Sequence, residues 1–321
     1  MYANKHLILG LLALALSGLA AAYPAGGDGT APSSAAKARG AAVEAPPDAR
    51  WNYQLQASRR GNQGSGRIAV GVCSPPLGGT DCVRPSVIDF DLYLDERGPG
   101  VDSKPNRPAV KALHELGGYA ICYIDAGGIE NYRPDYRRFV RWHREHDRSL
   151  LGKPFSKRFP EERWANVGGS RQRAFLLRMM GDRTRLCAKA GFDAVEYDVV
   201  DAWANGRRVT GWKVSYEDQL AYNRGLARIA HRHGLAAGLK NDLGQVRDLV
   251  DGFEFAVNEE CFTYDECERL RPFIAAGKPV FHVEYTNARR EFCAETEGLG
   301  FNSVRKSPNY TLYAQPFEPC S

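Results

Sequence analysis

Short apolar or alternating runs recur along the chain from residue 51 onward, and each has about the length of a β-strand. Amphipathic patterns of helical period separate several of these runs, at residues 109–116, 171–190, 217–233, 245–250 and 264–276. Glycines stand where helix C-caps belong, at Gly117, Gly191, Gly234 and Gly277. The eight predicted strands are residues 51–55, 86–92, 119–124, 194–197, 236–239, 253–257, 279–283 and 301–304.

Strands that alternate with helices predict a parallel α/β sheet. Eight such units in about 270 residues predict closure of that sheet into a (β/α)8 TIM barrel. The first connection, from residue 55 to residue 86, is predicted as loop rather than helix. An open doubly wound sheet is the alternative, but no GxGxxG motif follows an early strand, which weakens it.

The N-terminal segment has the pattern of a secretory signal peptide over residues 1–22. Lys5 precedes an apolar run, and a cluster of alanines precedes Tyr23. An uncleaved N-terminal anchor is the alternative. Residues 23–48 are rich in Ala, Gly, Pro and Ser and predict a flexible leader. We therefore expect a secreted protein, extracellular or periplasmic, with a single barrel domain at 49–321 whose loops are stapled by disulfides.

The charge and hydropathy of the rest of the chain exclude two classes of partner. Its 43 Lys and Arg residues exceed its 38 Asp and Glu residues only slightly, for a net charge of +5. No basic run tracks a phosphate backbone, so nucleic acid is not an expected partner. After signal removal no apolar stretch is long enough to span a membrane. We expect a monomer that needs no metal and no organic cofactor.

Eight cysteines in an exported chain make disulfides plausible, although spacing alone leaves their connectivity open. The candidate staples are Cys73 with Cys82, Cys261 with Cys267, and Cys293 with Cys320. Cys122 lies in an apolar run and Cys187 in a helical pattern, so both are interpreted as buried thiols. No CxxC motif occurs, which argues against a zinc site.

Polar side chains close seven consecutive predicted strands. In a barrel the carboxyl ends of the strands carry the chemistry, so these side chains predict an acidic, hydrogen-bonding rim. Neither a Ser nucleophile elbow nor a phosphate-binding loop is present. Hydrolysis of a glycosidic bond needs two carboxyl groups and nothing else: one protonates the leaving oxygen, and the other attacks or positions water. Aromatic residues near the same ends offer faces for sugar rings, or belong to the core.

Several segments resemble glycoside hydrolase family 114, the endo-α-1,4-polygalactosaminidase-like barrels. They include GFDAVEYDVVD at 191–201, GLKND at 238–242 and FAVNEECF at 255–262. Further matches lie at 51–55, 121–127, 264–267 and 277–285, in the family's order. The resemblance implies a TIM barrel that acts on partly deacetylated α-1,4-linked galactosamine polymers of microbial exopolysaccharide.

Carried over to matching positions, the resemblance implies Asp198 as nucleophile and Glu259 as general acid/base of a retaining mechanism. The acid needs a raised pKa, which we expect from burial beside other carboxylates. Family members often have Asn where Val199 stands, a departure that bears on the substrate more than on the barrel. The predicted substrate-binding residues are Trp51, Gln54, Asp91, Tyr123, Asp125, Asp201, Lys240, Asn241, Asn258, Glu284 and Tyr285.

Alternatives stay open for the acidic residues and for the whole chain. Asp91, Asp125, Asp201 and Glu284 either pair with substrate ammonium groups or form a hydrogen-bond network that holds the rim. The chain is a glycosidase, a carbohydrate-binding barrel without turnover, or a structural secreted protein of the spherulin-like kind. Its net charge opposes a cationic polymer at long range, so attraction has to come from the acidic rim.

Overall fold

Eight parallel strands form the inner wall of the protein within the residues that the computed structural model describes, 44–47, 49–56, 68–93 and 104–321. Each strand pairs with its neighbours in chain order, from the first to the eighth. The predicted (β/α)8 barrel is confirmed. The strands are Trp51–Gln54 (β1), Val87–Asp91 (β2), Tyr119–Asp125 (β3), Ala194–Asp198 (β4), Ala236–Lys240 (β5), Phe255–Glu259 (β6), Val280–Glu284 (β7) and Asn302–Arg305 (β8).

Side chains bridge the gap between the last strand and the first. The buried Lys306 ammonium follows β8 and donates to Asn52 Oδ1 on β1 at 2.9 Å and to the Tyr313 carbonyl at 2.7 Å. Asn52 Nδ2 in turn donates to the Ala314 carbonyl at 3.3 Å. Residues Glu318–Pro319 pair antiparallel with β8. The C-terminal segment therefore completes the barrel.

Helices and 3₁₀ turns connect most of the strands, and polar caps set several of their ends. The Asn106 side chain accepts from the Ala109 N–H at the first helix, and Ser215 forms a capping box at the fifth. Gly191 ends the third helix with a φ of 99°. The helices are Arg107–Glu115 (α1), Tyr136–Glu145 (α2), Ser170–Ala190 (α3), Ala202–Thr210 (α4), Tyr216–Arg232 (α5), Val246–Leu249 (α6), Arg271–Ala275 (α7) and Arg289–Gly298 (α8), with 3₁₀ turns at Val250–Gly252 and Cys267–Leu270.

The strands divide their side chains between two hydrophobic cores. Val87 and Ile121 belong to the cluster inside the barrel, whereas Ile88 on β2 belongs to the cluster shared with the helices. Because side chains alternate along a strand, the inward positions of β4 lead from Ala194 through Glu196 to Asp198. This alternation carries charged side chains into the carboxyl end of the barrel.

The connection from β3 to β4 is more elaborate than predicted. Besides α3 it holds α2 and a three-stranded antiparallel sheet made of Gly128–Glu130, Leu151–Pro154 and Glu162–Ala165. The helices α4 and α8 were likewise not predicted. In the first connection, residues 68–86 contain no helix, as predicted.

Four disulfides join cysteines of the described residues. The three candidate staples are confirmed, Cys73–Cys82, Cys261–Cys267 and Cys293–Cys320. The interpretation of Cys122 and Cys187 as buried thiols is right about their burial but wrong about their chemistry, because Cys122 on β3 and Cys187 on α3 form a fourth disulfide with their Cα atoms 6.1 Å apart. Cys122 faces outward toward α3, which packs on the strand.

The described residues belong to one compact unit, Gly40–Ser321. The predicted signal peptide lies outside the described residues, and so does the predicted leader apart from residues 44–47. Among the helices of the described part, none combines the length and the apolar character needed to cross a membrane.

Candidate active site

Three barrel strands end in charged residues that meet at the carboxyl end of the barrel. Asp198 ends β4, Lys240 ends β5 and Glu259 ends β6. The Lys240 Nζ atom lies 3.4 Å from Asp198 Oδ1 and 3.7 Å from Glu259 Oε2. Those two oxygens are therefore no farther apart than the sum of these distances, which suits a carboxyl pair acting on one glycosidic bond.

Two donors fix the Asp198 carboxylate. Tyr123 Oη donates to Oδ2 at 2.8 Å, and the Val199 N–H donates to Oδ1 at 2.7 Å. Val199 has a φ of 58°, which is unusual for a β-branched residue. Gly127 packs against this turn, and a Cβ atom there would lie 1.7 Å from the Val199 carbonyl oxygen. Only glycine fits that position.

The surroundings of Glu259 favour its anionic form. Tyr285 Oη donates to Glu259 Oε1. Asn241 Oδ1 accepts the Glu259 N–H at 2.9 Å and an Asn258 Nδ2 hydrogen at 3.1 Å, which holds the end of β6. Burial acts to raise the pKa of Glu259, whereas the Lys240 charge and the Tyr285 hydrogen bond act to lower it. The expectation of a raised pKa stays a prediction.

A fully buried polar layer lies beneath the two carboxylates. Lys240 Nζ donates to Tyr53 Oη and to Glu196 Oε1, both at 2.7 Å, and Tyr53 Oη donates to Glu196 Oε1 at 3.2 Å. Asp89 is also fully buried, and its pKa is raised by burial and by the nearby Glu196 carboxylate. Burial acts to lower the pKa of Lys240, but the surrounding carboxylates raise it well above its ordinary value. Sequence reasoning missed Glu196, although it lies two residues before Asp198 on the same strand face.

A second acidic group, here called the side-sheet cluster, consists of Asp125, Glu130 and Glu162. Their carboxylate oxygens lie within 4.8 Å of one another. Burial and neighbouring carboxylates raise the pKa of Asp125, and they raise the pKa of Glu162 to about 10. Arg133 Nε donates to Glu130 at 2.6 Å, and the other guanidinium nitrogens donate to Asp91 at 2.7 and 2.6 Å. Both carboxylate oxygens of Asp91 therefore accept hydrogen bonds from the Arg133 guanidinium.

Two groups of side chains in the described part of the chain have the spacing of metal ligands. One is the side-sheet cluster, where Arg133 supplies positive charge at Glu130. The other is Cys261, Cys267 and His282, whose two sulfur atoms are joined in a disulfide. The expectation that no metal is needed stays a prediction.

Two predicted substrate-binding residues on β1 lie in the scaffold. Trp51 is buried in the barrel interior, and its Nε1 atom donates to the His282 carbonyl at 3.3 Å. Gln54 is also buried, and its Oε1 atom accepts the Ala69 N–H at 3.1 Å. These contacts hold both side chains in the scaffold, and their role in binding substrate stays a prediction.

Two predicted acidic ligands are buried, and the contacts of one of them serve a loop. Glu284 is fully buried and accepts from Thr263 Oγ1 at 2.7 Å and from the Phe262 N–H at 3.0 Å. Its contacts shape the loop after β6 rather than present a carboxylate to a ligand. Asp201 is buried at the N-cap position of α4.

Comparison with known proteins relates the chain to carbohydrate-active enzymes. The model of glycoside-hydrolase family GH114 matches residues 32–318. The crystal structure of Aspergillus fumigatus Ega3 in complex with galactosamine has a TM-score of 0.66 and 24% identity, covering 87% of this chain and 98% of that one. The glycoside hydrolase domain of PelA from Pseudomonas aeruginosa has a TM-score of 0.50 and 13% identity, covering 83% and 96%. None of the curated proteins matches the chain. At these identities the two structures establish the fold.

Proposed function

Because the chain belongs to glycoside hydrolase family GH114 and is a glycoside hydrolase, we propose that it cleaves α-1,4 linkages in a galactosamine-containing exopolysaccharide with Asp198 and Glu259 as its two carboxyl groups. The observation that carries this proposal is the placement of both carboxylates at the inward ends of β4 and β6, on either side of Lys240 at the end of β5. The galactosamine bound to Ega3, which has the same fold, supports the choice of sugar.

In the proposed retaining reaction, Asp198 attacks the anomeric carbon while Glu259 gives its proton to the leaving glycosidic oxygen. The bond from Asp198 to the sugar forms as the glycosidic bond breaks. Glu259, now an anion, takes a proton from water, and the water oxygen displaces Asp198 from the sugar. Tyr123 and the Val199 N–H hold the attacking carboxylate in place.

The same contacts predict how the two half-reactions depend on pH. Tyr285 and Lys240 stabilise the anionic Glu259 that the second half-reaction requires. The first half-reaction requires the protonated acid, which the same two contacts disfavour. We therefore expect kcat/KM to rise as the pH falls toward the pKa of Glu259.

Recognition of an amino sugar requires negative charge near the reacting bond. The side-sheet cluster is placed to acquire it, because Asp125 and Glu162 lie close enough to feel the charge of Asp198 and their raised pKa values keep them protonated in the free protein. A substrate ammonium group placed there favours the ionised carboxylates, so binding is expected to release protons. This local charge acts against the net charge of +5 that the whole chain carries.

Secretion is part of the proposal. Four disulfides in a chain of this size are typical of oxidising compartments, and a polymer outside the cell is reachable only by an exported enzyme. Together with the signal-like N-terminus, they favour an extracellular or periplasmic enzyme.

The test is release of reducing ends from partly deacetylated α-1,4-polygalactosamine, with mass spectrometry of the products. We expect oligomers from the wild type and losses of about 10²- to 10⁴-fold in Asp198→Asn and in Glu259→Gln. Glu115→Gln, at an exposed position on α1, is the matched control and should retain activity. Full activity in both site variants would contradict the assignment, and binding without products would favour the carbohydrate-binding alternative.

A further inference from the structure

Asp89 and Glu196 form a pair of carboxyl groups at the bottom of the site. Asp89 is an inward residue of β2, Glu196 is an inward residue of β4, and both are fully buried. Among the charged groups around Asp89, Glu196 has the largest electrostatic effect on it. No N–H or O–H group of the described residues donates to either oxygen of Asp89 or to Glu196 Oε2.

A hydrogen bond between two carboxyl groups needs a proton, because an ionised carboxylate has only acceptors. The charges around the pair also favour a proton on one of the two carboxyl groups. Lys240 is the cation in contact with Glu196, and it also faces Asp198 and Glu259. A fourth buried negative charge on Asp89 would have no cation of its own, which is costly away from water.

We propose that Asp89 is a positioning residue that stays protonated and donates its hydrogen bond to Glu196, so that Glu196 remains anionic and holds Lys240 beneath the catalytic pair. Burial and the nearby Glu196 raise the pKa of Asp89, in agreement with the geometry. The expected effect on catalysis rests on the proposed function, whereas the protonation state of Asp89 does not.

The proposal separates two substitutions of Asp89. Asp89→Asn keeps a side-chain N–H donor for Glu196, so the charges above it stay as they are. Asp89→Leu keeps the approximate volume but leaves Glu196 Oε2 without a donor, which raises the pKa of Glu196 until it takes up a proton. Lys240 then balances Asp198 and Glu259 alone, which favours anionic Glu259 further.

Other titratable groups face this pair from the neighbouring strands, and the substitutions leave all of them in place. They are Tyr53 on β1, Tyr123 on β3, Asp198 on β4, Lys240 on β5 and Glu259 on β6. The falling limb of kcat/KM with pH is therefore expected to keep its wild-type position in Asp89→Asn. In Asp89→Leu it is expected to move to lower pH, with about a 10-fold loss of kcat/KM at neutral pH.

The experiment combines pH profiles of kcat/KM for the three proteins with infrared difference spectra of wild type against Asp89→Asn at neutral pH, without substrate. The wild type should show a protonated-carboxyl carbonyl band that Asp89→Asn lacks. If Asp89→Asn instead lost a band of an ionised carboxylate, the proposal would be overturned. A shifted profile in Asp89→Asn, or an unshifted one in folded Asp89→Leu, would overturn it as well.

The two readouts separate failure of this inference from failure of the proposed function. If neither the wild type nor the variants cleave the polymer, the proposed substrate is wrong, and the infrared spectra still decide whether Asp89 holds the proton. If Asp89→Leu does not fold, the infrared spectra and the pH profile of Asp89→Asn decide whether Asp89 holds the proton.

Discussion

Removing the Tyr285 hydroxyl is expected to shift the pH dependence of the enzyme to higher pH. Tyr285 Oη donates to Glu259 Oε1 and so favours the ionised carboxylate. A hydrogen bond to a charged group contributes about 1.5 to 3 kcal/mol, and about 1.4 kcal/mol corresponds to one pKa unit. Tyr285→Phe is therefore expected to raise the pKa of Glu259 by about 1 to 2 units, while Lys240 remains in contact.

The assay is the pH profile of kcat/KM on the galactosamine polymer. A general acid works in its protonated form, so kcat/KM falls as the pH rises through the pKa of Glu259 in the free enzyme. A raised pKa keeps the acid protonated to higher pH. The falling limb is then expected to move upward by the same about 1 to 2 pH units in Tyr285→Phe.

Tyr310→Phe provides the matched control. The Tyr310 ring packs on Tyr285 with centroids 4.6 Å apart, and its hydroxyl donates to Glu260 Oε1 at 3.0 Å rather than to Glu259. Its removal should leave the limb in place. If the falling limb of kcat/KM in Tyr285→Phe keeps its wild-type position or moves to lower pH, the reasoning is refuted. Equal shifts in both variants would attribute the effect to ring packing.

Two further predictions concern stability. Lys306→Met leaves the Asn52 side chain and the Tyr313 carbonyl without their donor, so we expect denaturant unfolding to show a loss of about 2 to 3 kcal/mol. Burial lowers the pKa of Lys306 to about 7. Between that pH and the ordinary lysine pKa the unfolded chain binds the proton more tightly, so the stability of the wild type should rise with pH over this range. A rise that persists in Lys306→Met would contradict this prediction. Gly127→Ala is expected to cost about 2 to 3 kcal/mol or more by the clash described above, whereas Gly252→Ala, with open space around its Cβ, should unfold like the wild type.

The barrel strands were predictable because both faces of each strand are buried. Runs such as that of β3 are nearly continuous in apolar residues, and glycines with positive φ, among them Gly191 at 99° and Gly234 at 71°, end the helices between them. The side sheet and α2 were missed because α2 buries only Phe139 and Trp142, and because the strands of that sheet pair across a long connection. The local pattern of apolar and polar residues contains too little information about such long-range pairing.

The candidate site was predictable as a set of strand ends but not as a set of contacts. Asp198 and Glu259 follow from their positions at the ends of apolar runs and from the family resemblance. The contacts that favour anionic Glu259 come from Lys240 and Tyr285, which reach it from neighbouring strand ends. The disulfide between cysteines 65 residues apart depends in the same way on which face of β3 meets α3. Such proximity follows from strand register and helix packing, which a single sequence does not display.

The backbone is strained at the ends of the three strands that carry the charged residues. Left-handed residues follow β4, β5 and β6 directly, and they are Val199, Asn241 and Glu260, with φ of 58°, 49° and 62°. Asn tolerates this conformation, but for Val and Glu it costs about 1 to 2 kcal/mol each. The N–H of each of these residues donates to a local acceptor, which is the Asp198 carboxylate for Val199 and the carbonyls of Val257 and Val283 for the other two. Strain of this kind concentrates where side chains have to be held for chemistry. Its coincidence with Asp198, Lys240 and Glu259 therefore favours a catalytic barrel over one that only binds carbohydrate.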